Sequence, residues 1–178
     1  AGDRDRVAEL SGRLADYMVK AAREAKLHTS WTDPDADYEA AVSGYVVAAL
    51  TDDDSAGFLE EFVQTCRPLF MAGAVTSLAQ TLAKLAAPGV PDIYQGTELW
   101  EDSLVDPDNR RPVDFAHRER LLARLEFEPS PAEILADWEV GLPKLHLLRR
   151  ALALRRDMPR LFAAGSYLPL AIEGELAD

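Results

Sequence analysis

Apolar residues in this 178-residue chain recur three and four apart almost everywhere except between Pro88 and Asp114, and that pattern with its one interruption fixes most of what the chain can fold into. Such spacing puts side chains on one helical face, because an α-helix turns once per roughly 3.6 residues. Val7, Leu10, Leu14, Tyr17, Met18, Ala21 and Ala25 make one face between Asp5 and Lys26. Tyr38, Val42, Tyr45, Val46 and Ala49 make a second, with Asp33 before Pro34 as its start signal and an end near Leu50. The acidic run Asp52 to Asp54 reads as a solvated turn whose carboxylates suit the start of the next helix. That helix runs from Phe58 to about Ala87, and Pro68, which has no backbone N–H, is expected to kink or break it. Helical signals return from Asp114 to Leu125, from Ser130 to Trp138 and from Pro143 to Arg156. The expected fold is mainly α, with helices near 5–27, 35–50, 57–87, 114–125 and 143–156.

The interruption has its own logic. Pro88, Gly89 and Pro91 forbid a continued helix, while Val90, Ile93 and Tyr94 before Gly96 read as a short strand, with Tyr94 as a core residue. The closing "SYLPLAIEGEL" reads as the first strand of a sheet. A lone strand cannot satisfy its own backbone donors and acceptors, so both strands call for neighbours in a longer polypeptide.

Composition removes several function classes. A formal net charge of -12 argues against a nucleic-acid partner, since phosphate binding depends on clustered Lys and Arg. No uninterrupted apolar run of about 18 residues occurs, so no membrane span is expected. Cys66 is the only cysteine, which excludes an internal disulfide, and no basic-then-apolar leader pattern is present; a cytoplasmic location is the expectation. No zinc spacing, calcium loop or glycine-rich phosphate cradle is seen, and no metal or cofactor is expected. His28, after the first helix, reads as structural more readily than as a substrate contact, and His117 and His146 read as surface helix positions.

A short apolar strand followed by a polar loop is the pattern by which a strand of an α/β barrel delivers residues to the catalytic face. The residues carry a more specific likeness. "GVPDIYQGTELW" resembles the eighth-strand region of the α-amylase superfamily, in which a Gly-x-Pro-x-x-Tyr-x-Gly-x-Glu pattern recurs. With "SLVDPDNRRPVD" added, the stretch is similar to a signature of the maltooligosyltrehalose synthases, apart from Ala87 where Ser is expected and Asp102 where an apolar residue is common. "KAAREAKLHTSW", followed by Tyr38 and Glu39, and "LRRALALRRDMPRLFAAGSYLPL" resemble the same family in the same order.

The resemblance implies a helical fragment containing the last strand region of a (β/α)8 barrel and the start of a C-terminal β-domain. Residues 1–87 would precede the eighth strand, 88–113 would hold that strand and its active-site loop, 114–165 would close the barrel, and 166–178 would begin the β-domain. It further implies that the parent enzyme converts the reducing-end α-1,4 glucosyl linkage of a maltooligosaccharide to α,α-1,1. The carboxylates for that chemistry sit on earlier strands, so no catalytic residue is expected in this chain, the chain alone should be inactive, and its partner is the remaining barrel of the same polypeptide.

Six residues are the candidates for sugar contact: Glu98, Trp100, Asp106, Asn109, Arg110 and Arg111. An indole face packs on the apolar side of a glucose ring, and Asp, Asn and Arg suit its hydroxyls. Each has a plainer reading. Trp100 can plug the barrel mouth, Glu98 can hold a loop arginine, Asp106 and Asn109 can make local turn bonds around Pro107, and both arginines can pair with neighbouring acids. A different class also stands open, a non-catalytic helical module that binds carbohydrate or protein through residues 97–112. An independent hydrolase is disfavoured, because Glu98, Asp102 and Asp106 share one loop, whereas retaining catalysis holds its two carboxyls about 5–5.5 Å apart on rigid elements.

Overall fold

A computed structural model describes residues 2–171 and 173–174, with the side chains taken from residue 4 onward. Among these residues there are seven α-helices: α1 Gly2–Ala25, α2 Ala36–Thr51, α3 Ala56–Ala86, α4 Phe115–Glu126, α5 Pro131–Ala136, α6 Leu142–Asp157 and α7 Pro159–Ala164. Two single 3-10 turns, Asp53–Ser55 and Asp108–Arg110, complete the regular structure.

The helices follow from local signals. Asp35, not Asp33, caps α2, its carboxylate accepting from the Tyr38 N–H at 2.9 Å. Asp114 caps α4 in the same way, accepting from His117 at 2.8 Å. Ser130 and Glu133 form a reciprocal capping box on α5, with Pro131 at its first position. Asp52 to Asp54 are exposed, and Asp52 makes no capping side-chain bond.

Two expectations fail and a third is narrowed. Pro68 lies inside α3, which continues through it from Ala56 to Ala86, so the proline does not break the helix: a long helix loses only local bonds at proline and keeps both flanks. No strand forms among the described residues: 90–94 and 166–171 have no ladder partner, and unpaired backbone of this kind stays irregular. Tyr94 is 47% exposed and therefore not a core residue. The end of the C-terminal strand expectation, at residues 172 and 175–178, lies outside the described residues.

The chain divides into two compact units. The first takes residues up to Met71 together with Asp102–Pro112. In it α1 and α2 pack together around the buried Ser11, Ala15, Thr29 and Val46. The ends of the two helices are tied by Glu39, which accepts two bonds from Arg23 at 2.7 and 2.6 Å and one from Thr29 at 2.6 Å. Those bonds hold the Glu39 carboxyl at about 2, against an ordinary 4.5.

The second unit takes Ala72–Glu101 and the chain from Val113 onward. Leu99, Leu121, Leu125, Ile134, Leu142 and Leu145 form its core, with Leu125 and Leu142 almost fully buried. Each such side chain stabilises the fold by about 1.5–3 kcal/mol. α6 is the central element, touching α4, α5 and α7. Its Arg149 donates to the Leu125 carbonyl at 2.6 Å, and its Arg155 donates to the carbonyls of Leu85 in the last turn of α3 and of Ala87 and Gly89 just beyond it, with its guanidinium 4.4 Å from the Phe162 ring centre. His146 is half-buried, not a surface position, and its Nδ1 is buried without a partner.

α3 runs through both units and exposes Phe58, Phe62, Val63, Leu69, Phe70, Met71, Val75 and Leu82. By length and composition alone it could cross a membrane, although the sequence holds no uninterrupted apolar run of that length. Core helices of soluble proteins meet the same criterion.

Candidate functional site

The six candidate residues fall in both units. Asp106, Asn109, Arg110 and Arg111 belong to the first, and Glu98 and Trp100 to the second.

In the first unit the loop 102–112 is organised by a residue outside the candidate set, Asp108. Its Oδ1 accepts from Arg13 Nε at 2.8 Å, and its Oδ2 accepts from Arg13 Nη2 at 2.7 Å and from the Leu104 N–H at 2.7 Å. Arg111 Nε adds an ion pair at 3.3 Å. This is the two-pronged guanidinium–carboxylate geometry, among the stronger polar contacts available to side chains. The bonds from Arg13, with the Leu104 N–H and the Arg111 charge, hold the Asp108 carboxyl at about 2, below its ordinary 3.8, while partial burial works against them. Arg13 also donates to the Asp102 carbonyl at 3.0 Å, and Lys20 donates to the Asp106 carbonyl. Two helix-α1 cations thus hold a loop about ninety residues away in sequence. A recess of about 130 Å³ opens between them, lined by Arg13, Tyr17, Lys20, Asp106 and Asp108 among others.

The arginines of "DNRR" take different partners. Arg110 is exposed and pairs with Asp106 at 2.5 Å, four residues back. Arg111 donates to the Ser103 hydroxyl at 3.0 Å and to the Asp108 carbonyl at 3.1 Å. Asn109 is exposed. The pairing of both arginines with neighbouring acids is the plainer of the two sequence readings, and it leaves Arg110 and Asn109 as the outward groups. The Asp106–Pro107 peptide is cis.

In the second unit Glu98 holds an arginine, but one on helix α4, Arg118, not one on the loop. Its Oε2 accepts from Arg118 Nε at 3.0 Å and from the Gly96 N–H at 3.0 Å. Arg118 also donates to the carbonyls of Gly96 at 2.7 Å and Asp114 at 3.1 Å, so one guanidinium closes the 96–98 turn. Gly96 has φ +95, and a Cβ there would lie 3.1 Å from the Glu101 carboxylate, which is why glycine stands at this position.

Trp100 donates its indole N–H to the Trp138 carbonyl at 2.6 Å, and the two rings lie 5.3 Å apart at a tilt of 45°. Lys144, only 8% exposed, donates to the Leu99 carbonyl at 3.0 Å, and its ammonium lies 6.0 Å from the Trp100 ring centre. Burial lowers the Lys144 pKa below 10.5, and the Lys84 charge adds to that, while Glu101 and Glu98 oppose it.

His28 sits just past α1 with its ring 5.0 Å from that of Tyr38, a packing role. Sequence reasoning missed Arg13, Arg118, Trp138 and Lys144. Their partners lie 95, 20, 38 and 45 residues away, beyond any local spacing rule.

These features define a helical segment built around a tethered polar loop. No protein-family model matches the chain. A Mycobacterium tuberculosis protein provisionally named maltooligosyl trehalose synthase is 40% identical over 171 residues, which is 96% of this chain and 20% of that protein. The solved maltooligosyltrehalose synthase from Arthrobacter ramosus is 44% identical with a TM-score of 0.77, over 94% of this chain and 21% of that one. A further crystal structure of a maltooligosyl trehalose synthase gives a TM-score of 0.80 at 33% identity, over 93% of this chain and 22% of that one. The chain is a relative of the maltooligosyltrehalose synthases in sequence and in fold, and it spans about a fifth of their length.

Proposed function

We propose that the chain is a working part of a maltooligosyltrehalose synthase of the α-amylase superfamily. The parent enzyme takes a maltooligosaccharide and moves its reducing-end glucosyl linkage from α-1,4 to α,α-1,1 in an intramolecular transfer. The observation that carries this reading is collinear identity of 40% over 96% of the chain. Retention at the transferred carbon calls for a carboxylate nucleophile and a carboxylic acid on rigid elements, and in this reading both come from the rest of the polypeptide. The 178 residues supply the loop. In the second unit the Trp100 indole offers an apolar face suited to a glucose ring, and in the first unit, taken by itself, Asn109 and Arg110 offer outward donors suited to sugar hydroxyls. Glu98, Asp106 and Arg111 hold loop geometry through the bonds described above, and sugar contact by them uses whatever capacity those bonds leave.

The exposed apolar residues of α3 fit the same reading. Phe58, Phe62, Leu69, Phe70 and Val75 are the kind of side chains that a barrel helix buries against its strands, and the rest of the parent chain would cover them in a cytoplasmic enzyme. A net charge of -12 favours a neutral sugar over a polyanion.

The test is incubation of the full-length protein with maltopentaose. Reducing ends should disappear without release of free glucose, and a non-reducing product of unchanged mass should accumulate. The 178-residue chain alone should leave the sugar intact. Full-length protein that leaves reducing ends untouched, or that only hydrolyses, overturns the proposal.

A further inference from the structure

The segment Leu99–Trp100 is held from one side by three separate features of the stretch that leads into α6. The Trp138 carbonyl accepts the Trp100 indole N–H at 2.6 Å. Gly141, at φ +79, lies so close that a Cβ would sit 2.9 Å from the Trp100 backbone nitrogen and 3.1 Å from the Leu99 Cα. Lys144 reaches the Leu99 carbonyl at 3.0 Å from the first turn of α6.

The lysine is the costly member. Lysine is almost never this buried unless paired, because its ammonium loses hydration that a single neutral carbonyl does not replace. Lys84 adds like charge, and the opposing carboxylates are Glu98 and Glu101. A methionine or leucine would fill the same space without that penalty. The ordinary ion-pair role of a buried cation does not account for it, since no salt bridge ties it among the described residues. What it does hold is the carbonyl immediately before Trp100, with its charge beside the indole ring.

We infer that Lys144 is a positioning residue, which acts through the Leu99 carbonyl and the Trp100 ring to fix that indole as a platform for a glucose unit of the maltooligosaccharide. The inference rests on the proposed function, which supplies the sugar. Trp138 fixes the ring's edge, Gly141 fixes its backbone, and Lys144 fixes the peptide plane preceding it. A platform set this way contributes equally to ground-state and transition-state binding, so its loss raises KM and leaves kcat nearly unchanged.

The experiment is a double-mutant cycle in the full-length protein with Lys144→Met, Trp100→Ala and the pair, reading kcat and KM on maltopentaose and the thermal midpoint of each. Lys144→Met should raise KM about tenfold with kcat within about twofold, and it should change KM by less than twofold once Trp100 is already Ala. Gly141→Ala, which displaces the same peptide from a different contact, should raise KM in the same way. An effect of Lys144→Met that is undiminished in the Trp100→Ala background, or that falls on kcat, or that appears only as a lower midpoint, overturns the positioning role while leaving the enzyme's activity in place. A wild-type protein that neither converts nor binds maltopentaose overturns the function and the platform together.

Discussion

The two stretches on either side of residue 101 are held by different balances of packing and charge. Residues 102–112 are tied by ion pairs at partly wetted positions: Asp108 to Arg13 and Arg111, and Asp106 to Arg110. Residues 96–101 are tied mainly by packing and carbonyl acceptance, with Leu99 in the core, Gly141 against the backbone, Lys144 and Arg118 donating to carbonyls, and one ion pair, Glu98 to Arg118. Charge pairs tolerate small displacement and respond to salt and pH, whereas close packing tolerates almost none. A loop built both ways can be adjustable in one part and fixed in the other.

The contrast is sharpest in the core under the second stretch. Leu125→Ala or Leu142→Ala should cost about 2–5 kcal/mol, seen as a lower urea midpoint with an unchanged slope, because both side chains are almost wholly enclosed. A loss below 1 kcal/mol at both would mean that this region is not packed as described. Next comes Gly141→Ala. It forces a side chain into a left-handed backbone and against Trp100, for a loss of roughly 2–4 kcal/mol.

On the charged side, Asp108→Ala should cost about 1.5–3 kcal/mol, since it frees the Arg13 fork and the Leu104 N–H together. Its signature is faster proteolysis within 102–112. That acceleration should be smaller at high salt, where the wild-type pairs are themselves weakened.

Acid separates the two sides further. Asp108 and Glu39 sit at about 2 when folded, against 3.8 and 4.5 ordinarily, so the unfolded chain takes up their protons first. The stability they contribute is complete above about pH 4.5 and is lost as pH falls toward 2. Lys144 works in the other direction. Its folded pKa is lowered, so the unfolded chain binds that proton more tightly, and the folded state gains as pH rises toward 10.5. Hydrogen exchange followed against pH should show α1 and α2 opening first in acid. Simultaneous opening of α4 and α6 would break the distinction. The smallest effect belongs to Arg110→Ala, below about 1 kcal/mol in stability, because its pair with Asp106 is largely exposed. A larger loss in sugar conversion than in stability would assign Arg110 to ligand.

What the sequence made legible follows the range of each signal. The helices over 2–25, 36–51, 56–86, 115–126 and 142–157 lie within a few residues of their expected bounds, because apolar spacing and caps act within one or two turns. The strands at 90–94 and 166–171 were read from composition that only a neighbouring strand can realise. The short α7 was passed over, since six residues carry too little periodicity to stand out from a loop. For the candidate site, residue types in "DPDNRR" pointed to a charged loop whose arginines can pair with neighbouring acids, and the Asp108–Arg111 pair, three residues apart, is of that local kind. Its second partner, Arg13, was not, because nothing within a helical turn announces a bond closed across 95 residues.

Arg155 gives that last point a temporal form. The carbonyls of Leu85, Ala87 and Gly89 at the end of α3 are satisfied by a guanidinium that lies 70 residues beyond Leu85. During synthesis at about 5–20 residues per second, α3 therefore emerges with its last turn open to water for roughly 4–14 s before its cap exists. The longest of the described helices is thus the one whose end is finished late, and a ribosome pausing between Gly89 and Arg155 would hold it in that frayed state for as long as the pause lasts.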